Sequence, residues 1–305
     1  MRNRFAIAVL GLLLPCLAAA QGREEWREMN RPLEPFRIAG PLYYVGASDV
    51  TSFLIVTEEG HILIDGGFAE TAPMIRKSIA TLGFEIGDVR ILLNSHAHLD
   101  HAGGLAALKE WSGAKLCASA GDAPLLERGG RGDELMGDDA PYPPVAVDRK
   151  LAHGDTVELG GISLLAHVTP GHTRGCTSWE FEIADRGQRQ RVVAVCSLTI
   201  LPAARLLRDP TYPGIAEDYS RSIAILEAIP ADIFLASHGS FFGLEAKRKR
   251  LSTSRQVTDE QSLPTETTRN PFVDPEGYRR YLERAKSKLA ERIAEERRAT
   301  GARPG

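Results

Sequence analysis

One six-residue segment, His-Ala-His-Leu-Asp-His at residues 96–101, constrains this chain more than any other feature. It places three imidazoles and a carboxylate between an apolar run that predicts a buried strand, residues 90–94, and a run that predicts a helix, residues 102–111. Imidazole and carboxylate suit zinc, and two ions held close together need about this many ligands from one short segment. The segment therefore predicts a zinc centre at a strand-to-helix turn.

Two more histidines follow predicted strands. His172 comes shortly after the strand predicted at residues 163–168, and His238 follows the strand predicted at residues 232–236. Because ligand sites gather beyond the carboxyl ends of strands in layered α/β folds, we expect both imidazoles on the same rim as the first segment. Three further histidines are expected to be structural or surface residues: His61, His153 and His167.

The strand and helix pattern predicts an α/β (α+β) fold in two similar halves, about residues 37–160 and 161–305. The strands predicted in the first half are 42–45, 52–56, 61–65, 90–94 and 114–119, with helices from about 71 and at 102–111. The strands predicted further along the chain are 156–159, at the boundary of the two halves, and 163–168, 177–183, 192–197 and 232–236, with helices at 214–228 and 275–299. Two sheet-plus-helix halves predict a sandwich of two β-sheets with helices outside and the site segments on one rim.

Two segments have no predicted helix or strand. Residues 127–144 contain several glycines and prolines, and a loop of this length is usually functional or mobile, so we interpret it as a flap over the site. Residues 252–270 are polar and are expected to form a mobile connector.

The N-terminus has the pattern of a secretory signal peptide. Arg2 and Arg4 precede an apolar run, residues 5–17, that is too short to span a bilayer, and three alanines follow. We therefore expect a cleaved signal at residues 1–20, a single domain at residues 21–305, and a periplasmic or secreted protein with no membrane insertion. Cys16 leaves open a lipid anchor. The net charge of −3 does not indicate a basic surface for nucleic acid, so no nucleic-acid partner is expected. We expect a monomer.

Three cysteines remain beyond residue 20. Cys117, Cys176 and Cys196 are odd in number and have no patterned spacing. We therefore expect no disulfide framework and three buried free thiols.

These motifs together resemble the metallo-β-lactamase superfamily and, within it, subclass B3. The resemblance covers nearly the whole chain after residue 20. It is carried by the segment at 96–101, by Gly171-His172 and Ser237-His238, by residues 64–67, and by runs at 121–124, 132–133, 216–219 and 270–275. It implies an αββα sandwich that holds two zinc ions per chain. The implied ligands are His96, His98 and His172 for one ion, and Asp100, His101 and His238 for the other.

The strand end at residues 192–199 lacks a residue that distinguishes some members of this superfamily from others. Glyoxalase II-like and lactonase-like relatives generally carry a bridging Asp there, and this segment has no carboxylate. The resemblance assigns Ser197 and Thr199 to the substrate carboxylate, although hydroxyls at a strand end also cap nearby backbone. Cys196 is left open as an alternative metal ligand, as in subclass B1-type enzymes.

The implied activity is hydrolysis of the β-lactam amide of penicillins, cephalosporins and carbapenems. A zinc-bound hydroxide would attack the ring carbonyl, with Asp100 both binding metal and orienting the nucleophile. One alternative is a hydrolase of the same fold that acts on a lactone, thioester or phosphoester. Another is an exported zinc-binding protein without turnover.

Overall fold

The protein, seen here as a computed structural model, is described at residue 24, residues 26–257 and residues 270–299. The predicted signal peptide at residues 1–20 lies outside these residues, as does most of the predicted connector. Within the described ranges, no helix is both long enough and apolar enough to cross a membrane.

The first sheet has seven strands that lie in chain order across the sheet. They are β1 (Phe36–Ala39), β2 (Leu42–Tyr44), β3 (Phe53–Thr57), β4 (Gly60–Ile64), β5 (Val89–Leu93), β6 (Lys115–Ser119) and β7 (Arg149–Leu151). β2, β3 and β4 form the predicted antiparallel meander, and β1 adds a further antiparallel strand to it. β4 to β7 run parallel to one another. The carboxyl ends of β4 and β5 therefore meet at one edge, immediately before the histidine segment.

The second sheet has five strands in the order β12, β11, β10, β9, β8. They are β8 (Thr156–Leu159), β9 (Ile162–Val168), β10 (Thr177–Asp185), β11 (Gln188–Val195) and β12 (Ile233–Ala236). β8 to β11 are antiparallel neighbours, whereas β12 runs parallel to β11. His238 and residues 196–199 consequently leave the sheet at the same end.

The helices connect the strands or follow the last of them. They are α1 (Ala72–Thr81), α2 (Leu99–Ala102), α3 (Leu105–Ser112), α4 (Ala123–Glu127), α5 (Ile215–Glu227), α6 (Gly239–Phe242), α7 (Leu244–Val257) and α8 (Pro275–Ala299). The final helix has the predicted bounds, and Tyr278, Tyr281, Leu282 and Leu289 are its buried side chains. The predicted fold class, two sheets with helices, is confirmed.

The core lies mainly between the two sheets. Trp179 and Phe181 alternate along β10 and are at most 2% exposed, packed in one cluster with Tyr44 and Phe53 of the first sheet. A second apolar cluster joins the outer face of the first sheet to α1 and α3. Burial on both faces explains why residues 62–64 of β4, Ile-Leu-Ile, are a continuous apolar run rather than an alternating one.

The expectation of an irregular polar segment from residue 252 was wrong for its first part, because α7 runs to Val257. This helix is rich in Lys and Arg, which hides its periodicity. Only a narrow face is apolar, with Leu244 and Leu251 buried. Residues 258–269 lie outside the described residues.

The expectation of three free thiols was also wrong. Cys176 and Cys196 form a disulfide, with Cα atoms 5.8 Å apart. β10 begins beside the place where β11 ends, so antiparallel pairing brings the two residues together although 20 positions separate them in the chain. Cys117 is a buried free cysteine, as predicted.

Candidate metal centre

Three imidazoles meet where β5 and β9 end. His96, His98 and His172 place one ring nitrogen each within 4.8 Å of the others, and all three side chains are buried. His98 Nδ1 and His172 Nε2 lie 3.1 Å apart. The structure thus brings together the three histidines that the family resemblance assigned to one ion.

A second group lies beside the first. Asp100 Oδ2 is 3.3 Å from His101 Nε2 and 3.4 Å from His238 Nε2, and the two imidazole nitrogens are 3.4 Å apart. His96 stands next to both groups, because its ring nitrogen also lies within 4.8 Å of the ligand atoms of Asp100 and His101. The six predicted ligands therefore form one continuous cluster.

The donor set and its spacing fit zinc. Tetrahedral zinc with bonds of about 2.0–2.1 Å to nitrogen or oxygen separates its ligand atoms by about 3.4 Å. The three edges of the Asp100, His101 and His238 triangle match this length. Three protein ligands in each group leave a fourth position for water or substrate, which is the pattern of catalytic rather than structural zinc.

Partners behind the ligands fix the orientation of four of the rings. His101 Nδ1 lies 3.3 Å from Asp65 Oδ2, and His238 Nδ1 lies 3.0 Å from Asp49 Oδ2. Ser95 Oγ lies 3.0 Å from His96 Nδ1, and His172 Nδ1 donates to the Thr199 carbonyl at 2.8 Å. A carboxylate or carbonyl on the far nitrogen sets the tautomer and aims the other nitrogen at the metal.

Asp65 organises the turn before the histidine segment. Its carboxylate accepts hydrogen bonds from the Ser95 amide, the Ser95 hydroxyl and the Asn94 side chain. Its backbone has φ +63°, a left-handed conformation that costs free energy for any residue but glycine. Gly66, the next residue, lies close to Gly104, which directly precedes α3. A Cβ added at Gly104 would lie 2.2 Å from the Gly66 carbonyl oxygen. The strained turn therefore holds Asp65 where it orders the residues directly before the histidine segment.

Asp122 links the loops that carry the first group. It accepts hydrogen bonds from the Ala97 amide, the Thr173 hydroxyl and the Gly175 amide at 2.7–3.0 Å. Ala97 lies between two candidate ligands and Thr173 follows a third, so one buried carboxylate sets their relative positions. Burial raises its pKa to about 6, although these three hydrogen bonds lower it.

The two groups differ in their electrostatics. Burial lowers the pKa of His98 to about 4 and that of His172 to about 3, so these imidazoles are neutral at pH 7. For His101, burial opposes protonation, but Asp100 and Asp65 outweigh it and raise the pKa to about 10. Burial likewise opposes the charge on Asp100, yet His101 and His238 hold its pKa well below the ordinary value. Without metal, the second group is therefore an ion-pair network.

The two predicted substrate-binding hydroxyls differ in exposure. Thr199 is exposed and lines a cavity of about 530 Å³ together with Phe241 and Tyr281. Ser197 is 3% exposed, and its hydroxyl accepts the Thr199 amide at 3.2 Å, which is the capping role that the sequence left open. Cys196 is committed to the disulfide, so it is not a thiolate ligand.

The flap loop, residues 127–144, lies against the site. Tyr142 donates to the Ala97 carbonyl at 2.7 Å, and Glu134 pairs with Arg174 at 2.7 Å. The Arg174 guanidinium also lies 4.4 Å from the centre of the Tyr212 ring. The loop is thus tied to both histidine segments.

The remaining histidines lie away from the cluster. His61 is buried against Phe84, His153 is exposed, and His167 pairs with Glu180 at 2.7 Å. Sequence reasoning missed the roles of Asp49 and Asp122, because a lone aspartate carries no spacing signal. Asp65 and Asp122 belong to runs that carry the family resemblance, but the resemblance assigned neither of them a role.

Comparison with known proteins places this geometry in a family. A family model described as the metallo-beta-lactamase superfamily matches residues 45–238. A metallo-beta-lactamase of Cronobacter sakazakii is 40% identical with a TM-score of 0.81, covering 89% of this chain and 98% of that one. BJP-1, a subclass B3 metallo-beta-lactamase of Bradyrhizobium japonicum, is 36% identical with a TM-score of 0.79, covering 89% of this chain and 98% of that one.

The motif of the Cronobacter protein differs from the one here. It is described as HARLDQ, whereas residues 96–101 of this chain are HAHLDH. The third and sixth positions, His98 and His101, are thus imidazoles in this chain.

Curated relatives have another printed activity. A hydroxyacylglutathione hydrolase of Hyphomonas neptunium is 38% identical over 88 residues, which are 29% of this chain and 27% of that protein. One of Cereibacter sphaeroides is 32% identical over 146 residues, 48% of this chain and 46% of that protein. The chain therefore spans about a quarter and about half of the lengths of these two relatives.

Proposed function

Because the chain belongs to the metallo-beta-lactamase superfamily, we propose that this hydrolase uses two zinc ions to open the β-lactam amide of penicillins, cephalosporins and carbapenems. The observation that carries the proposal is the complete donor cluster: three histidines in one group, and Asp100, His101 and His238 in the other. The neighbouring B3 structure, similar over nearly its whole length, supports the β-lactam substrate.

The side chains have distinct tasks in this proposal. Zinc held by the two groups would supply an ionised water near neutral pH and a Lewis acid for the carbonyl oxygen. Asp100 Oδ2 belongs to the second group, and we assign its Oδ1 to accept a hydrogen bond from the attacking water. Thr199 is exposed and lines the cavity, and we assign its hydroxyl to donate to the substrate carboxylate. Water adds to the ring carbonyl, the carbon–nitrogen bond breaks, and the ring nitrogen takes a proton.

The curated relatives make a glutathione thioester the second candidate substrate. The resemblance predicts a bridging aspartate for such enzymes at the end of β11. The residues there, 196–199, are Cys-Ser-Leu-Thr, and the first of them is locked in a disulfide. This absence favours the β-lactam over the thioester.

The proposal is tested with purified protein that begins at Gln21. We expect loss of ring absorbance of a carbapenem and a cephalosporin, abolished by a chelator and restored by zinc. Hydroxyacylglutathione serves as the competing substrate. Hydrolysis of that thioester alone, by zinc-replete protein, would replace the β-lactam assignment.

Zinc uptake by the second group should depend on pH. His101, with a pKa of about 10, carries a proton at pH 7, and zinc must displace it. His98 and His172, with pKa values of about 4 and 3, carry none. Between pH 6 and 8 we therefore expect the zinc affinity of the first group to stay constant. The zinc affinity of the second group should rise about tenfold or more per pH unit. Competition with a chromophoric chelator at pH 6, 7 and 8 measures both constants, and two flat constants would contradict the assignment.

We also propose that the protein is exported. The signal-like segment at residues 1–20 is the basis, and the Cys176–Cys196 disulfide supports it, since such bonds persist in oxidising compartments.

A further inference from the structure

Two buried ring nitrogens of the candidate ligands make no hydrogen bond within the described residues: His101 Nδ1, which has the Asp65 carboxylate at 3.3 Å, and His98 Nε2. His98 offers Nδ1 to the three-histidine group, so its Nε2 carries the hydrogen. Nε2 is buried, and within the described residues it has no hydrogen-bond partner. A buried N–H without an acceptor costs free energy, and such exceptions call for an explanation.

The flap loop places a carboxylate beside this nitrogen. Asp133 Oδ2 lies 3.7 Å from His98 Nε2, and the Asp133 side chain is 9% exposed. This distance exceeds a hydrogen bond, and a shift of about 1 Å would bring the pair into the range of about 2.7–3.2 Å. The contact is therefore nearly formed.

The local structure holds Asp133 in place. Its Oδ1 accepts the backbone N–H groups of Leu135 and Met136, both at 2.7 Å, which leaves Oδ2 to face His98. The next residue, Glu134, is clamped to Arg174, two positions after His172. The loop is thus anchored on one side to the segment of His172, while its carboxylate approaches His98.

We propose that Asp133 is a positioning residue for His98: it accepts the Nε2 hydrogen and aims Nδ1 at the metal, so that the flap loop contributes to zinc affinity. This inference rests on the zinc site of the proposed function, but not on the identity of the substrate. It makes the flap loop part of the metal site.

Asp133→Asn separates this role from a structural one. The asparagine oxygen can still accept the amides of Leu135 and Met136, while its NH₂ group replaces Oδ2 and opposes the His98 N–H. We expect zinc affinity to fall about 10- to 100-fold, with unchanged thermal stability of the metal-free protein. The matched control is Asp139→Asn, which removes the same charge from an exposed position of the same loop.

Competition with a chromophoric chelator measures the affinities. Equal zinc affinity in wild type and Asp133→Asn would overturn the proposal, as would an equal loss in both asparagine variants, which would indicate a general charge effect.

If Asp133→Asn does not fold, nitrogen-15 NMR of zinc-loaded wild type decides. A slowly exchanging, downfield His98 Nε2 proton is expected, and a rapidly exchanging one would overturn it. Wild type that binds zinc but hydrolyses no β-lactam would refute only the substrate assignment.

Discussion

His172→Ala and Asp100→Ala should each reduce kcat/KM for a β-lactam by at least about a thousandfold. Each removes one of three ligand atoms from a group, His172 Nε2 from the first and Asp100 Oδ2 from the second. The Lewis acid contribution of a metal is worth several kcal/mol, and each 1.36 kcal/mol is tenfold in rate. Steady-state hydrolysis of a carbapenem at fixed free zinc measures the loss.

The same variants should remain folded. His172 donates a hydrogen bond to the Thr199 carbonyl and its ring lies against those of His96 and His98, but burial disfavours its charge, so we expect little change in metal-free stability. Asp100→Ala leaves His101 and His238 without their shared carboxylate and should lower that stability. Far-ultraviolet circular dichroism checks the fold. His153→Ala, at an exposed histidine outside the cluster, is the activity control. Full activity in either site variant would refute the ligand assignment.

The sequence predicts much of the fold because hydrophobic periodicity is strong in the central elements. The bounds of α8 and β8 match the prediction, and most other strands shift by a few residues. The missed elements have weak apolar signals. β1 and β7 are short edge strands of four and three residues, α4 and α6 are helices of five and four residues, and α7 is mostly polar.

Four of the six candidate ligands could be predicted from one segment, because a metal needs several donors at once and three imidazoles and a carboxylate occur within six positions. The family resemblance implied the full set and its division between two ions. The residues behind the ligands could not be predicted. Asp49 lies 189 positions from His238, and Asp122 lies 51 from Thr173, so only tertiary structure pairs them. A single aspartate that supports a ligand looks, in sequence, like any surface aspartate.

The disulfide shows the same limit, because three unpatterned cysteines do not indicate which strand ends will meet. Once it is known, its effect can be calculated. Closing a loop of about 20 residues restricts the unfolded chain by about 3 kcal/mol at 25 °C. The bond also lies against the site, since Cys196 Sγ is 3.2 Å from the Ser95 carbonyl oxygen and Ser197 follows it.

Cys176→Ser/Cys196→Ser should therefore lower the free energy of unfolding by about 3 kcal/mol and Tm by roughly 5–10 °C. Guanidinium denaturation of the metal-free protein measures the first quantity. A reductant should destabilise wild type by a similar amount and leave the double variant unchanged, which separates loss of the bond from the effect of two buried hydroxyls. Thiol titration of denatured protein beginning at Gln21 should find one free thiol, Cys117. Three free thiols, together with a wild type insensitive to reductant, would show that the pair does not form. The ends of β10 and β11 would then be joined only by sheet pairing.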